Sequence, residues 1–155
     1  MADIEWLRVA VDLATRNVTE GGGPFGAVIV ADGVVLGDGC NRVTRDNDPT
    51  AHAEVVAIRA ACAARGHFSL AGATLYASCE PCPMCLAAAL WSRVSRIVYA
   101  ADRHDAARGG FDDLAFYELF ATERSQWTTK VEPLTMPGAA APFEAWLAAG
   151  DRVAY

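Results

Sequence analysis

His52-Ala53-Glu54 and Pro81-Cys82-Pro83-Met84-Cys85 are two short runs whose residue types could do chemistry together. Cysteines three apart on a helix share a face, so both sulfurs can reach one ion. In the first turn of a helix they are also favoured as thiolates, because the positive end of the dipole lowers the cost of losing their protons. Soft sulfur with imidazole in a near-tetrahedral set suits zinc. With His52, Cys82 and Cys85 as ligands a fourth position stays open for water, which is the pattern of a catalytic ion. Glu54, two residues after His52, is close enough to reach that water without ligating the metal and can move its proton. A structural reading competes, since Cys79 lies three residues before Cys82 and could close a Cys3His site with no chemistry. A purely structural site, however, has no need of a carboxylate at Glu54.

The elements that must carry these residues follow from hydropathy and turn signals. From Asp3, a plausible N-cap, Trp6, Val9, Ala10 and Leu13 fall on one helical stripe that runs out before Gly21-Gly22-Gly23-Pro24. Phe25–Ala31 and Val34–Gly39 read as the strands of a hairpin turning at Asp32-Gly33. Residues 41–48 lack periodicity and are expected to form a surface loop. Pro49-Thr50 opens a helical pattern with Val55, Ile58 and Cys62 on one face and Gly66 as its stop. Strand, helix and strand are then expected over Ala73–Ser78, Cys82–Trp91 and Arg96–Ala101, followed by helices over Asp113–Phe120 and Pro142–Ala149, the latter ended by Gly150. The span between those last two is ambiguous. The order β-β-α-β-α-β points to an α/β layered sandwich. Gly21-Gly22-Gly23-Pro24-Phe25-Gly26 matches G-x-G-x-x-G in letters, but it follows a helix and precedes a strand, so it reads as a turn and not a phosphate cradle.

The chain has 155 residues, close to the size of one domain, and 53% of them are apolar, too many for disorder. Its 13 basic and 19 acidic residues give a net charge of −6, which argues against a nucleic-acid binder held by phosphate contacts. Acids stand near the N-terminus where a secretory signal would be basic, and no apolar run approaches the ~20 residues of a membrane span. A cytoplasmic protein is expected, with no membrane partner. Five cysteines are then thiols or metal ligands rather than disulfides. Cys40 and Cys62 read as buried small apolar side chains, and His67 and His104 as surface residues of loops.

Across nearly its whole length the chain resembles the cytidine-deaminase-like superfamily and, within it, the bacterial guanine deaminases. The resemblance is carried by Gly23-Pro24-Phe25-Gly26-Ala27-Val28-Ile29-Val30, Asn47-Asp48-Pro49-Thr50-Ala51-His52-Ala53-Glu54, Ser78-Cys79-Glu80-Pro81-Cys82-Pro83-Met84-Cys85, Gly110-Phe111-Asp112-Asp113, Pro142-Phe143 with Trp146, and Tyr155. The zinc motifs are common to the superfamily, whereas Gly-Phe-Asp-Asp, Trp91 and the terminal aromatic are more particular to guanine deaminases. The resemblance implies a three-layer α-β-α sandwich with a mixed central sheet and one zinc ion per subunit. It implies hydrolytic attack at C2 of guanine with loss of ammonia and formation of xanthine, Glu54 being the main proton shuttle. Asp113 is implied as a second shuttle near the leaving amine, against a plain helix N-cap. Asn41 is implied to hydrogen-bond the purine, against a turn residue, and Phe25 and Trp91 to pack on the flat base, against plain core. The family also implies a homodimer in which a segment over about 135–155 of the single deaminase domain 1–155 is exchanged, Phe143 and Trp146 anchoring it and Tyr155 closing the partner's site. The tRNA adenosine deaminases share the Asp-Pro-Thr-Ala-His-Ala-Glu run, but a polyanionic substrate calls for a basic surface. Deaminases of guanosine, cytosine or an amino-triazine would use the same zinc and carboxylates in a different pocket.

Overall fold

The computed structural model describes all 155 residues, which divide into two units, Met1–Leu119 and Phe120–Tyr155. In the first, α1 (Asp3–Thr19) leads into strands β1 (Gly26–Ala31) and β2 (Val34–Cys40), then a one-turn helix α2 (Val43–Asp46) and α3 (Ala53–Arg65). β3 (Thr74–Cys79), α4 (Pro83–Trp91), β4 (Arg96–Ala101), α5 (Arg103–Arg108) and α6 (Asp113–Phe120, its last residue being the first of the second unit) follow. The hairpin turn carries Asp32 at φ 50° and Gly33 at φ 74°, the pair of positive values that a tight turn between twisted strands needs.

The sheet has the order β2-β1-β3-β4, with β1 antiparallel to both neighbours and β3 parallel to β4, so it is mixed. Alternate residues of β1 face opposite layers, as strand geometry requires. Val28 and Val30 pack with Trp6 and Leu13 of α1 on one face, while Ala27 and Ile29 pack with Ala53, Ala57 and Ala61 of α3 and Ala89 of α4 on the other. This is the expected α-β-α arrangement.

The buried stripe of α3 differs from the expected one. Ala53, Glu54, Ala57 and Ala61 are buried, whereas Val55, Ile58 and Cys62 are only partly so. The reason lies beneath the helix, where a Cβ on Gly37 would stand 2.5 Å from the Ala61 nitrogen and one on Gly39 2.4 Å from the Ala53 carbonyl oxygen. Helix and strand approach so closely that only alanine methyl groups fit between them. That contact seats the N-terminus of α3, and with it His52 and Glu54, on β2.

Four local expectations are corrected. Asp3 does not cap α1, whose N-cap is Ala2; its carboxylate instead accepts from Arg96 at 2.6 and 2.9 Å and from the Tyr76 hydroxyl at 2.7 Å, partners stronger than a backbone amide. The 41–48 stretch contains α2, closed by the Arg42–Asp46 pair. His104 lies in α5, where Asp102 as N-cap accepts from the His104 and Asp105 amides. Cys40 and Cys62 are half-buried, near the carbonyls of Leu13 and Phe68.

The second unit holds a short 3-10 turn (Arg124–Gln126) and α7 (Ala141–Ala148), with no strand, and none of its residues is buried. Within it Phe120 and Trp127 meet edge to face at 5.2 Å. No helix of the chain is long and apolar enough to cross a membrane.

Candidate active site

His52 and Cys82 are the N-cap residues of α3 and α4, and Cys85 lies in the first turn of α4. Their ligand atoms converge within 4.8 Å of one another, the His52 Nδ1 standing 3.6 Å from the Cys82 sulfur and 3.4 Å from the Cys85 sulfur. A zinc ion with bonds of ~2.3 Å to sulfur and ~2.0 Å to nitrogen separates the two donor types by ~3.5 Å along a tetrahedral edge. The donor set therefore fits zinc in both chemistry and spacing. The Cys85 thiol hydrogen-bonds Cys82 and holds it down to about 4, while Cys85 is pushed up by the same contact and His52 is raised by its hydrogen bond to Cys82. A dication takes the place of such protons on its ligands.

Cys79 does not join the set. Its sulfur lies 3.5 Å from the Asp102 carbonyl, and burial pushes its thiol up to about 12. That removes the fourth protein ligand on which the Cys3His reading depended and leaves a three-ligand site.

Glu54 is 6% exposed, and burial raises its carboxyl to about 7. It lines a cleft of about 400 Å³ together with His52, Cys82, Asp113, Asn41 and Phe25. That volume lies at the small end of the ~300–1,000 Å³ typical of small-molecule sites. Asp113, the first residue of α6, is also raised, by burial and then by the nearby Cys82. The Asn41 side-chain oxygen accepts from the Val43 amide at 3.2 Å, so its NH2 group is the end left to donate. Phe25 meets Phe111 edge to face at 4.8 Å, and the two form an apolar wall.

Trp91 ends α4 at 63% exposure and does not line this cleft, and Tyr155 is 76% exposed. Several cleft residues escaped the sequence reading: Gly21, Gly22 and Gly23, Val43, Thr44 and Phe111. The glycine run is indeed a turn, but it is also a wall of the site. Behind it Asn17, 1% exposed, donates to the Gly23 and Asn41 carbonyls at 2.8 Å each, and a Cβ on Gly22 would fall 2.4 Å from the Asn17 side chain. A buried-side asparagine ahead of three glycines was the available signal.

The family described as cytidine and deoxycytidylate deaminase zinc-binding region matches residues 1–101. A guanine deaminase of Bacillus subtilis is 49% identical over 142 residues, 91% of this chain and 91% of that protein. An X-ray structure of guanine deaminase from Bacillus subtilis aligns over 100% of this chain and 99% of that one, with a TM-score of 0.96 at 46% identity. The tRNA-specific adenosine deaminase of Buchnera aphidicola is 35% identical over 117 residues, 76% of this chain and 78% of that protein.

Proposed function

The chain belongs to the cytidine and deoxycytidylate deaminase zinc-binding family, on the side of the guanine deaminases, and from that premise we propose that it hydrolyses guanine to xanthine and ammonia. The observation that carries the reading is the combination of three metal ligands with two half- or fully buried carboxylates, Glu54 and Asp113, in one small cleft.

His52, Cys82 and Cys85 would hold a zinc ion, and the chemistry such an ion would supply is activation of a water as nucleophile near neutral pH. Glu54, desolvated and close to neutrality in its proton affinity, takes up the proton released and hands it to a ring nitrogen beside C2. Asp113 serves the exocyclic amine, which must carry a proton to leave as ammonia; its raised carboxyl is suited to donate. The Asn41 NH2 group donates to an acceptor on the purine edge, and the Phe25–Phe111 wall takes the flat face. For Trp91 the single chain adds no support, and its place against the base rests on the resemblance. The tRNA-editing reading is not favoured, because the chain is acidic and its likeness to members of that group spans 76% or 50% of the chain against 91% for the guanine deaminase.

We also read the protein as a cytoplasmic homodimer that is one deaminase domain over 1–155, with residues 135–155 exchanged and Tyr155 completing the partner's cleft. Support comes from the second unit itself, in which Phe143 and Leu147 of α7 are 72% and 66% exposed and nothing is buried. Solution size, with and without residues 135–155, tests the exchange: truncation should give monomers with a functional loss.

The test of the reaction is ammonia release by zinc-loaded protein from guanine, guanosine, cytosine and ammeline. Guanine is expected to be the best substrate. Turnover of none of them overturns the proposal, and tight, salt-sensitive tRNA binding would transfer it to the editing deaminases.

A further inference from the structure

The turn Cys79-Glu80-Pro81 delivers Cys82 to the site, and each of its residues is held by the stretch of chain between Ala101 and Tyr117. The Cys79 sulfur meets the Asp102 carbonyl, and the Glu80 amide donates to the Ala101 carbonyl at 2.8 Å. The Glu80 carboxylate, 13% exposed, takes three bonds from Arg103: the backbone amide at 3.0 Å, Nε at 3.1 Å and a terminal nitrogen at 2.7 Å. The guanidinium then lies 3.5 Å from the centre of the Tyr117 ring, and the Tyr117 hydroxyl donates to the Pro81 carbonyl at 2.5 Å. Fork, stack and hydroxyl form one continuous clasp.

Tyr117 is four residues after Asp113, so the two lie on the same face of α6, one turn apart. α6 has no buried residue. Asp113, Leu114, Tyr117 and Leu119 are half-buried, and the Tyr117 hydroxyl is tied to the residue directly preceding a metal ligand. We infer that Tyr117, backed by Arg103 and Glu80, is a positioning residue that sets the distance between the Asp113 carboxyl and the metal-ligand turn. The clasp gives Asp113 its place without touching substrate. The inference rests on the deaminase reading for its catalytic consequence, though not for its geometry.

The decisive variant is Tyr117→Phe, which keeps the ring beneath Arg103 and removes only the hydroxyl. Placement errors of about 1 Å can cost ~100-fold in rate, so kcat is expected to fall about 10- to 100-fold with KM changed less than about threefold. Zinc content should stay at one ion per chain. Made in an Asp113→Asn background, the same change should cost almost nothing further, because the group it positions is already gone. A merely structural role would multiply the two losses. Unchanged kcat, or full multiplication, overturns the inference. Arg103→Lys, which keeps the charge but loses fork and stack, is expected to give the same pattern at smaller size. If the zinc-loaded wild type deaminates no nucleobase, the functional reading falls, and the positioning role is then judged by crystallography. A Tyr117→Phe structure with α6 displaced and Cys82 in place supports it; an unmoved α6 overturns it.

Discussion

The two sides of the cleft are built on different principles. On the metal side, α3 lies pressed against Gly37 and Gly39 through an alanine stripe, and Ala53, Ala57, Cys85 and Ala89 are fully buried. On the opposite side, α6 brings Asp113 to the same cleft with none of its residues buried, held by the Tyr117 hydroxyl and the Arg103 stack. The ligands of a metal must keep fixed separations of a few tenths of an ångström, and core packing supplies such rigidity. A group that exchanges protons with a departing amine gains from being adjustable. The contrast says that changes to the packing of the first side should register in fold and metal binding as well as rate, whereas shape-preserving changes there, and changes on the second side, should register in rate alone.

Glu54→Gln should produce the largest effect. It preserves shape while removing the proton acceptor, so turnover should fall on the order of 10³-fold, within the range for loss of a general base. Metal analysis should still find one zinc ion per chain, and urea unfolding should show no loss of stability, because the replaced carboxyl is one that burial already discourages from ionising. The pH profile checks the assignment. Only ionised Glu54 accepts a proton, so kcat/KM should fall as pH drops through its pKa. That value is about 7, and a cation held beside the carboxyl would lower it, which places the acid limb below pH 7. An acid limb that persists in the Gln variant would assign it to another group.

Asp113→Asn tests the other side. A fall of about 10- to 100-fold in kcat is expected, with zinc content unchanged and stability within ~0.5 kcal/mol of wild type by urea titration. A drop in melting temperature of many degrees would break the contrast, because it would mean that α6 is integral to the core after all.

Gly39→Ala attacks the metal side through its packing. The added Cβ would need to stand 2.4 Å from the Ala53 carbonyl oxygen, which is backbone and cannot swing away. Overpacking of this kind costs ~1–3 kcal/mol, and the strain falls between His52 and Glu54, so zinc affinity should drop along with the unfolding midpoint. Competition with a chromogenic chelator reads the first and urea titration the second. If both stay at wild-type values, the close seating of α3 is not what holds the ligands.

The same contrast explains how much could be read in advance. β-Branched runs with Asp32-Gly33 between them placed the hairpin, and Arg96–Ala101 and Asp113–Phe120 fell where expected, because the signals there are local. The metal ligands were legible because helix N-termini and a three-residue spacing are local too. The buried face of α3 was not, since hydropathy ranks Val55, Ile58 and Cys62 above alanine, and the preference for small residues comes from glycines of a different element. Asn17, Phe111 and the Gly21–Gly23 wall reach the cleft through turns that local periodicity does not encode. α5 is a six-residue polar helix, too short for a stripe, and its one signal was the Asp102 cap.

Asp3 offers the smallest effect and a control for the whole contrast, because it joins α1 to β4 through Arg96 and Tyr76 and lines no part of the cleft. The Arg96 guanidinium holds its carboxyl down to about 2, against an ordinary value near 3.8. A carboxylate with a lowered folded-state pKa contributes stability that is present above its unfolded value and lost as pH falls through the folded one. The window is therefore about pH 4 to pH 2, and the contribution is small, since both partners are about half exposed and solvent screens the pair. Comparing wild type with Asp3→Asn isolates this group from the other carboxylates. The difference in their melting temperatures should be constant from pH 7 to pH 5 and shrink toward zero as pH approaches 2, while kcat for ammonia release at neutral pH stays the same. A loss of turnover without loss of stability would show that the α1 layer communicates with the cleft, and the division between a core-held and a clasp-held side would then be incomplete.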